Sequence, residues 1–474
     1  MRFPLALSAK IAGHIIKHKL RRTPKFAMVL QLEPLHTCNL TCTGCGRIRE
    51  YSTSLKDMMS LEDCLGSAAE CEAPMVSICG GEPLIYPKIE ELIDGILRQN
   101  RIVYVCTNGM FMRKKMRDYL AAIFTPALEP KLLELLTEKL ITEKEAATIR
   151  QADDKARAKV VIRPSRWMYW NVHIDGLEYT HDLIVEREGV FVECVEAIKM
   201  AKILGFQVAT NTTVYKETEV KEIEEMFKYF SWLGVDGHTI SPGYDYDAAK
   251  KDMVQRLDRK PEDFFLTRAM TRVKFAKIQD WGKLFTIFGT PVYQEFLAGK
   301  RELTCTAWAI PTRNIKGWKA PCYLMSDGHY AGYQEMLREV KWENYGVVDG
   351  KARDPRCENC MVHCGYDPSG ALGTNYQRGD NWKNFAYNFG AKPKPYARGH
   401  EVIAFNGVSI GKGHLAEARA AINSPRAAMN GAQSVFSRKP EPADPESDGA
   451  GACGSGDTRQ RDDLLAKIAS KKNS

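Results

Sequence analysis

Six short apolar runs punctuate the first half of the chain: Val29–Leu32, Met75–Cys79, Ile102–Cys106, Tyr169–Ile174, Gln207–Thr212 and Gly237–Ile240. Each reads as a strand. Between them the apolar residues recur at helical spacing, which predicts helices over Leu61–Cys71, Ile89–Arg98, Phe191–Leu204 and Val220–Leu233. Alternation of this kind implies parallel strands joined by helical crossovers. Six such units fall short of a closed eight-stranded barrel. The expected fold class is therefore α/β, a partial (β/α)6 barrel with its chemistry at the carboxyl ends of the strands.

The same reading divides the chain. Residues 5–22 form a basic amphipathic helix, with Leu5, Ser8, Ile11/Ala12, Ile15/Ile16 and Leu20 near one face and Lys10, Lys17, Lys19, Arg21 and Arg22 elsewhere. Such a helix suits an anionic membrane surface or packs its apolar side on the rest of the protein. Residues 1–27 thus precede a barrel core at 28–290. Within the core, 113–165 is a helical insertion in which Thr142-Glu-Lys-Glu145 is a capping string. It is a lid, a channel wall or a surface decoration. A Cys-rich C-terminal domain is expected over 291–380. From 381 to 474 the patterning fades, and Pro440, Pro442 and Pro445 among Ala, Gly, Ser and Asp read as a largely disordered tail. Cys453 in it reads as incidental, and a short helix is expected over Asp462–Lys471.

Composition changes this picture little. The chain of 474 residues is 44% hydrophobic, and no window has the unbroken apolar length of a membrane span. A net charge of +8 raises nucleic acid as a partner, but no stripe of Lys/Arg interleaved with aromatics appears, so none is expected. Fourteen cysteines without an export signal point to a reducing, cytoplasmic setting and to metal or redox chemistry.

Three of those cysteines, in His36-Thr-Cys38-Asn-Leu-Thr-Cys42-Thr-Gly-Cys45-Gly46, follow the first strand. Thiolates spaced C-x3-C-x2-C can hold three irons of a [4Fe–4S] cluster and leave the fourth iron open, unlike an electron carrier that fills all four positions. Zinc would need a second cysteine pair or histidines, which nothing nearby supplies. Polar strings close the later strands: Ser77-Ile-Cys79-Gly80-Gly81-Glu82-Pro83, Val105-Cys106-Thr107-Asn108, Asn171-Val-His173-Ile-Asp175 and Asn211-Thr-Thr213. Singly each is an ordinary cap or turn; at successive strand ends they line one cavity. Further on, Cys305, Cys322, Cys357, Cys360 and Cys364 give enough ligands for an auxiliary iron–sulfur cluster, or for zinc with His363 in reserve.

The three-cysteine loop resembles the signature of the radical S-adenosylmethionine (SAM) superfamily, in which SAM chelates the open iron. The resemblance implies that Gly80, Gly81 and Glu82 meet the amino group of SAM, that His173 and Asp175 meet its ribose and carboxylate, and that Asn108 and Asn211 also bind this cofactor. More narrowly, the chain resembles the hopanoid-biosynthesis subfamily, the adenosylhopane synthases. That match rests on Gln31-Leu-Glu-Pro34, Val76–Pro83, Val103–Asn108, Val172–Gly176, Gly234–Gly237, Ser241–Tyr244, Phe296–Gly299, Pro311–Asn314, Pro321–Leu324 and Cys360–Tyr366, about residues 28–370. It implies a transferase of lipid metabolism that adds the 5′-deoxyadenosyl radical to the alkene of diploptene. It further implies a hydrogen atom donated to the resulting carbon radical by Cys106, with Cys79 as runner-up. A flavodoxin- or ferredoxin-type one-electron reductant is the implied partner, and the location is the inner face of the membrane. The alternative is a radical SAM enzyme acting by hydrogen abstraction on another polyprenoid, a peptide or a small molecule.

Overall fold

The computed structural model describes residues 4–51, 56–391 and 393, with the backbone of two further short strands, Ile403–Phe405 and Val408–Ile410. The remainder of the 381–474 tail, Cys453 and the Asp462–Lys471 helix lie outside the described residues.

All six anticipated strands form: β1 (Val29–Leu32), β2 (Met75–Ile78), β3 (Ile102–Thr107), β4 (Met168–His173), β5 (Gln207–Val214) and β6 (Gly237–Pro242). Each pairs in parallel with the next. The strands are buried on both faces, which explains why their apolar runs are nearly continuous rather than alternating. Helices Leu61–Cys71, Ile89–Arg98, Val190–Leu204 and Val220–Trp232 cover the outside, at the positions expected from their spacing.

The sheet does not stop at β1. Residues beyond 290 add β7 (Thr312–Asn314), parallel to β1 on its other edge, then β8 (Gly317–Pro321) and β9 (Ser326–Tyr330) in antiparallel pairing. The order is β6-β5-β4-β3-β2-β1-β7-β8-β9. A domain boundary at 290 therefore cuts through one continuous sheet. An unpaired β1 edge beside the cysteine loop would expose its backbone groups, and β7 satisfies them. A helix over Asp380–Phe389 also extends the ordered fold past 380, anchored where Arg301 grips the buried Asp380 carboxylate at 2.9 Å.

The 113–165 segment is helical: Met112–Ile123, Glu129–Thr137, Glu143–Arg150 and Asp154–Arg157. Thr142 and Glu145 form the capping box. Leu132, Leu135 and Ile149 are buried, Lys131 donates to the Leu204 carbonyl at 2.9 Å, and Arg113 reaches Glu193 at 2.8 Å. The segment thickens the outer helical layer.

The helix Leu5–Leu20 underlies the amino ends of the strands. Leu7 and Ile11 are buried with Phe26, Met28, Met75, Tyr104 and Phe288. No described helix is long and apolar enough to cross a membrane. His14 Nε2 donates to the Ala27 carbonyl at 2.9 Å, and burial lowers this histidine from 6.5 to about 4. A histidine held neutral in the fold contributes stability above its ordinary value and loses it as pH falls through the folded one. His14 should therefore pull the melting temperature down between about pH 7 and about pH 5, relative to a variant that cannot titrate there. His14→Gln, which keeps an amide donor but cannot titrate, should blunt that drop.

Candidate active site

At the carboxyl ends of β1–β6 the structure encloses a cavity of about 380 Å³. Side chains on alternate strand positions point into it, so each strand contributes a ladder. On β3 the ladder runs Tyr104, Cys106, Asn108; β2 contributes Met75, Ser77, Cys79; β4 contributes Asn171 and His173. The end near the amino termini of the strands is apolar, with Val29, Met75, Tyr104 and Phe288. The opposite end is polar and holds Cys38, Cys42, Cys45, Gly80, Gly81, Glu82, Asn108, His173 and Asn211. Cys106 is two residues from both Tyr104 and Asn108, about 7 Å along the strand from each end.

The loop after β1 holds its cysteines by several contacts. Leu40 N donates to Cys38 Sγ at 3.5 Å, and Asn108 Nδ2 reaches it at 3.7 Å while also donating to Asn39 Oδ1 at 2.9 Å. Gly80 and Gly81 are required by close approach. A Cβ on Gly80, whose φ is +105°, would lie 2.4 Å from the Leu35 carbonyl oxygen, and one on Gly81 only 2.0 Å from that of Thr37. The Gly-Gly string thus seats the strand end against the cysteine loop.

Burial pushes Cys38 up to about 12, and burial with the charge of Cys45 and Cys38 beside it raises Cys42 as well. Metal ligands must be thiolates, so buried thiols crowded together suit a positively charged group that offsets their repulsion. The buried Asn171 Oδ1, on the cavity wall, has no hydrogen-bond donor among the described residues. The donor set and this free acceptor fit an iron–sulfur cluster with a polar small molecule beside it.

Two anticipated contacts are taken up elsewhere. The Glu82 carboxylate accepts from Thr107 Oγ1 at 2.7 Å, Leu84 N at 3.0 Å and Asn108 N at 2.8 Å. Burial raises it to about 7. Its oxygens fix the β3 end, so its contribution to the cavity is to aim Asn108. Asp175 is wholly buried and does not reach the wall; it sits 2.6 Å from His173 Nε2 and accepts from Thr213 N at 2.7 Å. It orients His173, which does line the cavity. No residue of 113–165 does.

Several contributors carried no motif. Ser77 Oγ lies 3.2 Å from Cys106 Sγ, and Asn171 Nδ2 donates to it at 3.4 Å. Ser77 opens the string that ends at Pro83 and Asn171 the one that ends at Asp175, and the two-residue strand period is the signal for their inward aim. Arg47 is buried; its guanidinium contacts Glu50 at 2.7 Å and Glu33 at 3.5 Å, donates to the Tyr323 carbonyl at 2.8 and 2.5 Å, and stacks 4.1 Å from the Tyr323 ring. Nothing local marks a lone arginine two residues past Cys45.

Cys305, Cys322, Cys357, Cys360 and Cys364 come together beside Arg47 and Tyr323. Burial raises Cys305, with Cys322, Cys357 and Cys364 adding their charge; it likewise raises Cys360, with Cys305, Cys322 and Cys357 close by. A Cβ on Gly365 would stand 2.7 Å from Cys305 Sγ, which explains the glycine after Cys364. Among the described residues no three His, Cys, Asp or Glu side chains close to single-ion distance. His363 is turned to Ser241 Oγ, 3.2 Å away, on the cavity wall.

A partial parallel barrel with a three-cysteine loop at the end of its first strand defines a class, and the comparisons name it. Residues 32–129 match the Radical SAM superfamily, and residues 238–384 match a Domain of unknown function (DUF3463). That superfamily uses a [4Fe–4S] cluster and SAM. Among curated proteins the chain is similar to GTP 3′,8-cyclase of Aquifex aeolicus, 24% identical over 214 residues, 44% of this chain and 54% of that one. It is also similar to 7-carboxy-7-deazaguanine synthase of Neisseria meningitidis serogroup B, 34% identical over 87 residues, 18% of this chain and 39% of that one. The chain thus spans about half or less of these relatives. Among solved structures, anSMEcpe with bound AdoMet and a peptide aligns at TM-score 0.45 and 16% identity, covering 76% of this chain and 96% of that one. Streptococcus suis SuiB bound to S-adenosylmethionine aligns at 0.42 and 12%, covering 74% of each.

Proposed function

We propose that the chain is a radical SAM adenosyltransferase that joins a 5′-deoxyadenosyl group to the terminal alkene of diploptene, giving adenosylhopane. The observation that carries this reading is the polarity of the cavity. Its polar end offers three cysteines and hydrogen-bonding side chains, its far end is hydrocarbon-lined, and the Cys106 thiol sits between. A purely polar substrate would leave Val29, Met75, Tyr104 and Phe288 facing it without purpose.

In this reading Cys38, Cys42 and Cys45 hold the cluster, and Asn108, His173 and Asn211 contact SAM. When bound, that pair supplies the 5′-deoxyadenosyl radical. The apolar wall orients the alkene and excludes water. Addition leaves a carbon radical on the lipid, and Cys106 gives it a hydrogen atom because an S–H bond is weaker than the C–H bond formed. Burial raises Cys106 and keeps it in the S–H form that this step needs. The thiyl left behind takes one electron from an external flavodoxin- or ferredoxin-type reductant and one proton from solvent. A lipid substrate is consistent with a peripheral position at the inner membrane face.

The test is anaerobic incubation of reconstituted protein with SAM, dithionite and solubilised diploptene, with mass spectrometry of the lipid extract. A lipid heavier by one adenosyl group is expected. Free 5′-deoxyadenosine with no adduct would instead favour hydrogen abstraction from another substrate.

The five C-terminal cysteines belong, on this reading, to an auxiliary [4Fe–4S] cluster. Reconstituted protein should then carry about eight irons per chain, and Gly365→Ala, by displacing Cys305, should lower this to about four. About four irons in the unaltered protein would dispose of the second cluster.

A further inference from the structure

The helix Leu5–Leu20 has two apolar sides. Its inner side, Leu7 and Ile11, belongs to one buried apolar cluster with Met75, Tyr104 and Phe288, which also line the cavity. Its outer side is Leu5, Ala9, Gly13, Ile16 and Leu20, all exposed and spaced to form one stripe. Leu5 is 68% exposed, Ile16 57% and Leu20 79%. Three large aliphatic side chains in line on one helix are not scattered surface residues.

The neighbouring helix, Asp380–Phe389, repeats the feature. It packs beside Leu5–Leu20 and shows Trp382, 71% exposed, and Phe385, 52% exposed. Their rings stack at 5.6 Å, and Phe385 stacks on Phe389 at 5.0 Å. Cations border the apolar stripe: Lys17, Lys19, Arg21 and Arg22 are exposed, and Lys10 and Arg166 flank the Trp167 ring at 5.6 and 5.3 Å. Lys17 pairs with Glu72 at 3.2 Å. Apolar and aromatic side chains bordered by a basic rim match an anionic bilayer, whose hydrocarbon takes the stripe and whose headgroups take the cations.

We propose that these two helices dock the protein on the surface of an anionic lipid bilayer, with Leu5, Ile16, Leu20, Trp382 and Phe385 entering the interface. This deepens the lipid reading above by giving the membrane side of the molecule. One helix diameter, about 10 Å, then separates the bilayer from the apolar end of the cavity. A water-insoluble substrate need not cross bulk solvent to reach that end.

The test uses the full chain and vesicles, without turnover. Cosedimentation with phosphatidylcholine vesicles containing phosphatidylglycerol is expected, with far less binding to phosphatidylcholine alone. Raising salt from about 0.1 M to about 0.5 M should weaken it severalfold. Ile16→Glu with Leu20→Glu, and separately Trp382→Ala with Phe385→Ala, should each reduce binding about tenfold. All four positions are exposed, so melting temperature and the yield of 5′-deoxyadenosine in detergent should stay unchanged. Absent binding to anionic vesicles, or binding that both double variants retain, would overturn the proposal. So would a dimer, seen by light scattering, that the variants dissociate, since the face would then belong to a second copy. Vesicle binding without any lipid adduct would keep the docking surface and sink the hopanoid substrate.

Discussion

Cys106→Ala should leave 5′-deoxyadenosine formation intact and cut the saturated lipid adduct about tenfold or more. Cleavage of SAM and quenching of the lipid radical draw on different residues, so the two products separate in this variant. Cys106→Ser should fail equally. A serine hydroxyl keeps the partners at Ser77 and Asn171 but its O–H bond is stronger than the C–H bond to be made, so donation is uphill. The serine variant thereby distinguishes a chemical role from a packing role: a thiol that merely filled space would tolerate it. The pH profile supplies a second readout. A thiol donor is lost when it ionises, and burial raises Cys106 above the ordinary 9.0, Ser77 and Asn171 notwithstanding. Adduct yield should therefore stay level from about pH 7 to about pH 9. A decline across that range would mean the donor is a solvated thiol elsewhere.

Arg47→Met should destabilise the protein by about 3–5 kcal/mol, the range for removing one partner of a buried ion pair. Burial alone would raise Glu33, but Arg47, His36 and Lys319 outweigh it and hold this carboxylate at about 2. A carboxylate depressed in the fold gives stability that is fully present above its ordinary 4.5 and is lost as pH falls through about 2. Methionine takes away the first of those counter-charges, so the depression of Glu33 shrinks. The variant should therefore lose less melting temperature than the unaltered protein as pH falls from about 4.5 towards about 2. Equal melting curves for both proteins at neutral pH would mean that water, not Arg47, compensates Glu33.

Much of this architecture is legible in the sequence. The six parallel strands carried continuous apolar runs because both their faces are buried, and their order needed only right-handed crossovers. The cysteine loop and the Gly-Gly string carried spacing that few alternatives satisfy. Other features had no local signature. β8, Gly317–Pro321, is wholly buried yet includes Lys319, so it presents no apolar run. Lys319 is there because Glu50 meets it at 2.5 Å, a partner far off in the chain. The convergence of Cys305 and Cys322 on Cys357–Cys364 likewise depends on β7–β9 folding back, which spacing alone does not encode. Glu82 and Asp175 stand in the right strings, but only the hydrogen bonds show that each works through a neighbour, Asn108 and His173.

The pairing of β7 with β1 also bears on how the protein is made. Gln31 and Thr312 are neighbours in the sheet, yet 281 residues of chain separate them. A ribosome delivering about 5–20 residues per second emits β1 and its cysteine loop well before the strand that closes their open edge. For that interval the loop has a frame on one side only, and contacts so distant in sequence form slowly. Iron delivered early would meet thiols not yet held by their neighbours. Maturation of this protein is therefore expected to follow translation, with the newly finished chain, rather than the nascent one, as the acceptor of its metal.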